Sequence, residues 1–175
     1  MIPDSHQTEI AEEATQILKE YGLVYLSMEE RTGKTLTSIL IVEGLPTCKK
    51  VLVVTKKKAL EGWRYTYNNI VHTKEYDITN YHQVEKISGD YDVIILDEAH
   101  NYISGYPKPS EMWKTLKGIC KDKLIIYLSA TSHAQGYSLL YHQLALSSFS
   151  PWKEYQNFYR WFDIYGVPDG IFLYG

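Results

Sequence analysis

Four short runs, "LVYLS" (23–27), "VLVVT" (51–55), "DVIILD" (92–97) and "LIIYLSA" (124–130), constrain the fold of this chain more than any other feature. They are continuous in Val, Ile and Leu instead of alternating apolar with polar residues. Strands of that kind are apolar on both faces and belong to a parallel sheet covered on both sides. The segments between them carry helical spacing, and a parallel sheet needs such crossovers. The chain therefore reads as α/β, with a central parallel sheet and helices on both faces.

The remaining elements follow from their punctuation. A first helix starts after Asp4 or Ser5, either of which can cap it, and runs through "QTEIAEEATQILKEY" to Gly22. "KTLTSILIVEG" is a second helix with Gly44 as its stop. "KALEGWRYTYNN" and "PSEMWKTLKGIC" are further helices, the latter with Pro109 near its start, and "YDITNY" (76–81) is a shorter strand. From Phe149 the chain turns aromatic: "FSPWKEYQNFYRWFDIYGVPDGIFLYG". Trp152, Tyr155, Tyr159 and Phe162 fall at helical spacing, which suggests either a last helix packed on the core or an aromatic surface facing another domain. On this basis residues 1–148 form the main domain and 149–175 a separate aromatic segment.

Composition bounds the partners. The 175 residues suit one domain with a substantial core, at 45% hydrophobic and 22% charged residues. A net charge of −3 gives no global basic signature, so a nucleic-acid partner must meet a local patch or a further domain. Cys48 and Cys120 lie far apart without metal-like spacing, which fits a reducing, cytoplasmic setting. The amino terminus "MIPDSHQTEI" is polar and unlike a signal peptide, and no apolar run approaches the ~18 residues of a membrane span.

Two motifs carry the chemistry. Residues 28–35, M-E-E-R-T-G-K-T, hold the second half of the phosphate-loop pattern G-x-x-x-x-G-K-[ST], with Met28 where the first glycine usually stands. Thr32 and Gly33 would present backbone N–H groups to phosphate. Lys34 would reach the outer phosphate oxygens, and Thr35 would offer its hydroxyl to Mg²⁺. The helix that begins at Lys34 adds its positive end to the same anion. Some sixty residues later, "YDVIILDEAHNY" (91–102) is an apolar strand ending in two carboxylates. Asp97 would hold Mg²⁺ through water, and Glu98 would orient and deprotonate an attacking water.

This pair resembles Walker A and Walker B of the superfamily 2 helicases and translocases, whose motif II reads Asp-Glu-Ala-His or Asp-Glu-Ala-Asp. "LSATS" (128–132) looks like their motif III, and "VLVVTKKKALEGWRYTY" (51–67) is similar to motif Ia of the Swi/Snf-type branch. "ITNYHQV" (78–84) and "YSLLYHQLALSSFSPWKEYQNFYRWF" (137–162) resemble later stretches of that branch. The resemblance implies the RecA-like P-loop NTPase fold, ATP and Mg²⁺ as ligands, and a second RecA-like domain, in cis or in trans, that completes hydrolysis. It implies nucleic acid as partner, with the Swi/Snf-like features pointing to double-stranded DNA, while DNA and RNA are not told apart by the residues themselves.

The same resemblance assigns further residues. Gln7 sits where the family's glutamine reads adenine, although an exposed glutamine at a helix start would look the same. His100 ends motif II and would contact motif III, made here of Ser129, Ala130 and Thr131. Lys56 and Lys57, with Lys58, follow the motif Ia strand where the family touches nucleic-acid phosphates; a solvated lysine turn is the plainer reading. Arg31 stands where many relatives have glycine. A stand-alone nucleotide-binding module for regulation or docking, and the motor of a restriction system, remain alternatives to a helicase or translocase half.

Overall fold

The computed structural model describes residues 2–29, 32–130 and 137–167. Five strands, β1 (Leu23–Ser27), β2 (Lys50–Thr55), β3 (Glu75–Asn80), β4 (Val93–Asp97) and β5 (Leu124–Ser129), form one sheet in the order β1-β5-β4-β2-β3. Every pairing is parallel. The helices are α1 (Ser5–Tyr21), α2 (Lys34–Glu43), α3 (Leu60–Asn68), α4 (His100–Ile103), α5 (Glu111–Cys120), α6 (Leu140–Leu144) and α7 (Phe158–Tyr165).

The apolar runs place side chains on both faces, as their lack of alternation requires. Val51 and Val53 of β2, Val93 and Ile95 of β4, and Ile126 and Leu128 of β5 face one core with α1, α2 and Trp63 of α3. Leu52, Val54, Ile94, Leu96, Ile125 and Tyr127 face the other, with Ile103, Leu116, Cys120 and Leu146. Each core strand is thus sandwiched and largely lost to solvent. Cys48 and Cys120 are both buried and unbridged, one in each core. Among the described residues no helix is long and apolar enough to cross a membrane.

Local chemistry sets the ends. Asp4 caps α1: its Oδ1 accepts from Gln7 N at 2.8 Å, while Gln7 Oε1 accepts from Asp4 N at 3.2 Å, a reciprocal capping box. Gly22 closes α1 at φ 75°. The helix after Pro109 begins two residues later than that proline, because Ser110 is its cap, with Oγ accepting from Trp113 N at 3.1 Å. Helix α3 starts at Leu60, after a single 3-10 turn at Lys57–Ala59.

The aromatic segment departs from the expectation of one long helical face. Helix α7 begins only at Phe158, where Asn157 Oδ1 accepts from Arg160 N at 3.1 Å, so Trp152 and Tyr155 lie in the turns before it. The buried face is Phe158 and Trp161 against Tyr141, with Trp152, Tyr155 and Phe162 around them. Tyr159, expected on that face, is 61% exposed. The buried stripe of α7 runs through Phe158 and Trp161, which leaves Tyr159 outside it, while Trp152 and Tyr155 reach the same cluster from the turns before the helix.

Candidate active site

In an open parallel sheet, loops at the carboxyl ends of the strands come together, and the candidate residues other than Gln7 of α1 leave from that edge. The loop after β1, the Asp97–Glu98 corner after β4 and the Ser129–Ala130 end of β5 are adjacent because β5 lies between β1 and β4. Backbone bonds extend this register beyond the strands: Met28 N donates to Ser129 O at 3.0 Å, and Glu98 N to Leu128 O at 2.8 Å.

Met28 therefore prolongs β1, and its side chain packs on the core instead of opening the loop. A glycine is not needed there. Gly33 is a different matter. It caps α2 at φ 84°, a conformation costly for residues with a Cβ, and an added Cβ would fall 2.1 Å from Gln7 Nε2. Thr32 folds its hydroxyl back onto Glu29 O at 2.7 Å. Lys34 and Thr35 occupy the first turn of α2, where N–H groups lack helical partners. Arg31 lies outside the described residues.

Glu98 is the hub. Its backbone is left-handed at φ 53°, a turn that parts its side chain from that of Asp97. Glu98 Oε1 accepts from Lys34 Nζ at 2.9 Å and from Ala130 N at 2.8 Å. Both side chains of the Lys34–Glu98 pair are mostly covered, at 13% and 14% exposure. Burial pushes the Glu98 carboxyl up, but the Lys34 ammonium, the Ala130 N–H and the charge of Lys56 together hold it below its ordinary value. His100 Nδ1 lies 3.6 Å from Glu98 Oε2 and 3.3 Å from Ser129 Oγ. Burial lowers the imidazole's pKa; Glu98 opposes this, and Lys56 and Lys34 add to it. His100 thus sits between the Glu98 corner after β4 and Ser129 of β5, its imidazole held below its ordinary pKa.

Asp97 has its own shell, which the sequence reading missed. Thr55 Oγ1 donates to Asp97 Oδ2 at 2.6 Å, Trp63 Nε1 donates to the same oxygen at 3.1 Å, and Tyr81 OH donates to Asp97 O at 2.9 Å. The one sequence signal for Thr55 was its place as the polar end of an otherwise apolar strand. Nothing in the sequence marked Trp63 or Tyr81 for this role.

The other expected residues lie as follows. Gln7 does face the loop, and its Nε2 donates to Thr32 O at 3.3 Å, so its amide ties α1 to the phosphate loop. Asp4, Gln7, Gly33, Lys34 and Thr35 line an open cavity of about 490 Å³. Lys56 is half-buried at the site's edge, near enough for its charge to act on Glu98 and His100, while Lys57 and Lys58 are exposed. Ser129 and Ala130 are in place; Thr131 lies outside the described residues.

Comparison with known proteins gives the arrangement a setting. Residues 66–134 match the family model "Type III restriction enzyme, res subunit". No curated protein matches the sequence. Among solved structures, the chain is similar to the Sulfolobus solfataricus SWI2/SNF2 ATPase core in complex with dsDNA, with a TM-score of 0.74 at 14% identity over 96% of this chain. It also resembles a nuclease-deletion mutant of the Type ISP restriction-modification enzyme LlaGI in complex with a DNA substrate mimic, with a TM-score of 0.53 at 18% identity over 77% of this chain. The match spans 40% of the first solved chain and 18% of the second. At these identities the likeness to the two structures is one of fold.

Proposed function

We propose that this chain, a RecA-like α/β fold with a parallel central sheet, is of the superfamily 2 helicase and translocase type, related to the SWI2/SNF2 and type III restriction ATPases, and that it binds and hydrolyses ATP as the first motor domain of a DNA translocase or helicase. One observation carries the reading. Lys34, Thr35, Asp97 and Glu98, from two distant segments, meet at one sheet edge, with Lys34 and Glu98 in direct contact. A binding module that only holds nucleotide has no need of Glu98.

The donor set suits a magnesium nucleotide. Gly33 leaves the loop backbone close and open, as phosphate oxygens require, and the first turn of α2 supplies N–H groups with positive polarity. Lys34 would place its charge on the outer phosphates, and Thr35 and Asp97 would hold the metal, which when bound screens the charge of the β- and γ-phosphates. Glu98, kept ionised by its neighbours, would accept the proton of the attacking water. Gln7 would read adenine by turning its amide from Thr32 O, which exchanges one hydrogen bond for another. His100, Ser129, Ala130 and Thr131 would carry the state of the site toward the nucleic-acid side, and Lys56 and Lys57 would meet DNA phosphates.

The sequence holds three arginines, Arg31, Arg64 and Arg160, none in a setting like the family's arginine fingers. A second RecA-like domain, in cis or in trans, would supply that charge, whose lack costs about 10³–10⁵ in rate in P-loop enzymes. DNA as partner is supported by the two relatives solved with DNA or a DNA mimic. The test is phosphate release with duplex DNA, single-stranded DNA and RNA, alone and with a second RecA-like domain added, using Glu98→Gln as control. Stimulation by duplex DNA, abolished in E98Q, is expected. Nucleotide binding with no stimulation by any nucleic acid would leave the regulatory-module reading instead.

A further inference from the structure

Thr55 and Trp63 bracket the turn that holds Lys56, Lys57 and Lys58, and both donate to one oxygen of Asp97. Thr55 ends β2, one residue beyond the Val54–Leu96 pair, which sets it directly beside Asp97. Its hydroxyl is fully buried. Trp63 is 2% exposed and packs in the core beneath the sheet, so its indole N–H cannot wander. Both bonds fall on Oδ2, and among the described residues Oδ1 accepts none. A carboxylate held this way has its plane and rotamer fixed, with one oxygen satisfied and the other available.

We propose that Thr55 and Trp63 are positioning residues for the metal carboxylate: by saturating Oδ2 they orient Asp97 so that Oδ1 serves Mg²⁺. The inference rests on the nucleotide-site reading above and deepens it. Partners of this kind, one bond removed from a metal, set ligand orientation and basicity, and losing one typically lowers metal affinity by about 10–100-fold. Neither residue lines the cavity at Gly33, Lys34 and Thr35, so nucleotide binding without metal should not depend on them. The lysine turn between them is thereby pinned at both ends to the metal side of the site.

The experiment titrates a fluorescent ATP analogue into the wild-type chain and into T55V, T55S and W63F, in EDTA and in millimolar magnesium. The quantity read is the gain in affinity that magnesium brings. In T55V and W63F that gain should fall about tenfold or more, while affinity in EDTA stays within about twofold of wild type. T55S keeps the hydroxyl and should keep the gain. Thermal melts establish that each variant is folded; should W63F not fold, the T55V and T55S pair decides. An unchanged gain in folded T55V, or an equal loss in T55S, overturns the proposal while leaving the nucleotide site standing. Absence of nucleotide binding by the wild-type chain overturns the site reading and this inference together.

Discussion

Lys34 Nζ and Glu98 Oε1 stand 2.9 Å apart across 64 residues of sequence, mostly shielded from water, with Ala130 N–H on the same carboxylate oxygen. The ammonium assigned to phosphate and the carboxylate assigned to water are thus partners in this structure. Glu98→Gln keeps an acceptor for Ala130 N–H and removes the base. Hydrolysis should fall by about 10²–10⁴ while nucleotide affinity changes little. Initial rates of phosphate release beside a binding titration check this; a loss confined to affinity would argue against a base role for Glu98.

Lys34→Met should act differently. It removes the proposed phosphate ligand and strands the Glu98 carboxylate among partly buried groups. We expect nucleotide binding to be lost and stability to drop by about 1–3 kcal/mol, the usual cost of orphaning a charged hydrogen-bond partner. In the K34M/E98Q double variant part of that stability should return, because the uncompensated charge has gone. Urea melts of the four members of the cycle measure this.

Acid should destabilise the protein in two stages. The His100 and His142 imidazoles are both held below their ordinary pKa, chiefly by burial. The unfolded chain therefore takes up protons before the folded one as pH falls below about 6.5, so stability is lost on acidification and is flat above that point. The Glu98 carboxyl is also depressed, so the stability it contributes persists to lower pH and is lost only as pH falls through the carboxylate range. Thermal melts from pH 8 to pH 4 should show a first decline below pH 6.5 that is smaller in H100N. A decline identical in H100N would remove His100 from the account.

Gly33→Ala combines two penalties. A φ of 84° is costly for alanine, by about 1–2 kcal/mol, and the new Cβ would strike Gln7 Nε2. The amide is the far end of a flexible side chain, so Q7A should relieve the clash but not the backbone strain. Denaturant melts should show G33A/Q7A recovering only part of the loss relative to Q7A. Full recovery would mean that the left-handed turn costs nothing.

The aromatic cluster of Tyr141, Phe158 and Trp161 is separate from both sheet cores. Trp161→Ala should therefore loosen α6 and α7 by about 3–5 kcal/mol of local stability and leave the sheet intact. Hydrogen exchange should show faster exchange in residues 140–165 with β2 and β4 unchanged. Trp161→Phe should cost much less, since the indole Nε1 is buried without a hydrogen-bond partner among the described residues.

The sequence by itself determined the sheet and one half of the site. Unbroken apolar runs admit little but buried parallel strands, and both strand limits and the carboxyl-edge position of Lys34, Thr35, Asp97 and Glu98 follow from local pattern. It also carried the start of α1 at Asp4 and its end at Gly22, because caps are made by neighbours in the chain. In the aromatic segment, Trp152, Tyr155 and Phe162 do pack together, but Tyr159 does not, because the Asn157 cap starts the helix at Phe158 and the buried stripe runs through Phe158 and Trp161.

What only the tertiary structure decided is the partnership of distant side chains. That Met28 extends β1, that Gln7 holds the phosphate loop, and that Thr55 and Trp63 share one oxygen of Asp97 depend on which strands are neighbours. The strand order β1-β5-β4-β2-β3 sets those adjacencies. A hydrogen bond reaches about 3 Å and reads only the atoms beside it, whereas sequence pattern reports burial along one segment at a time.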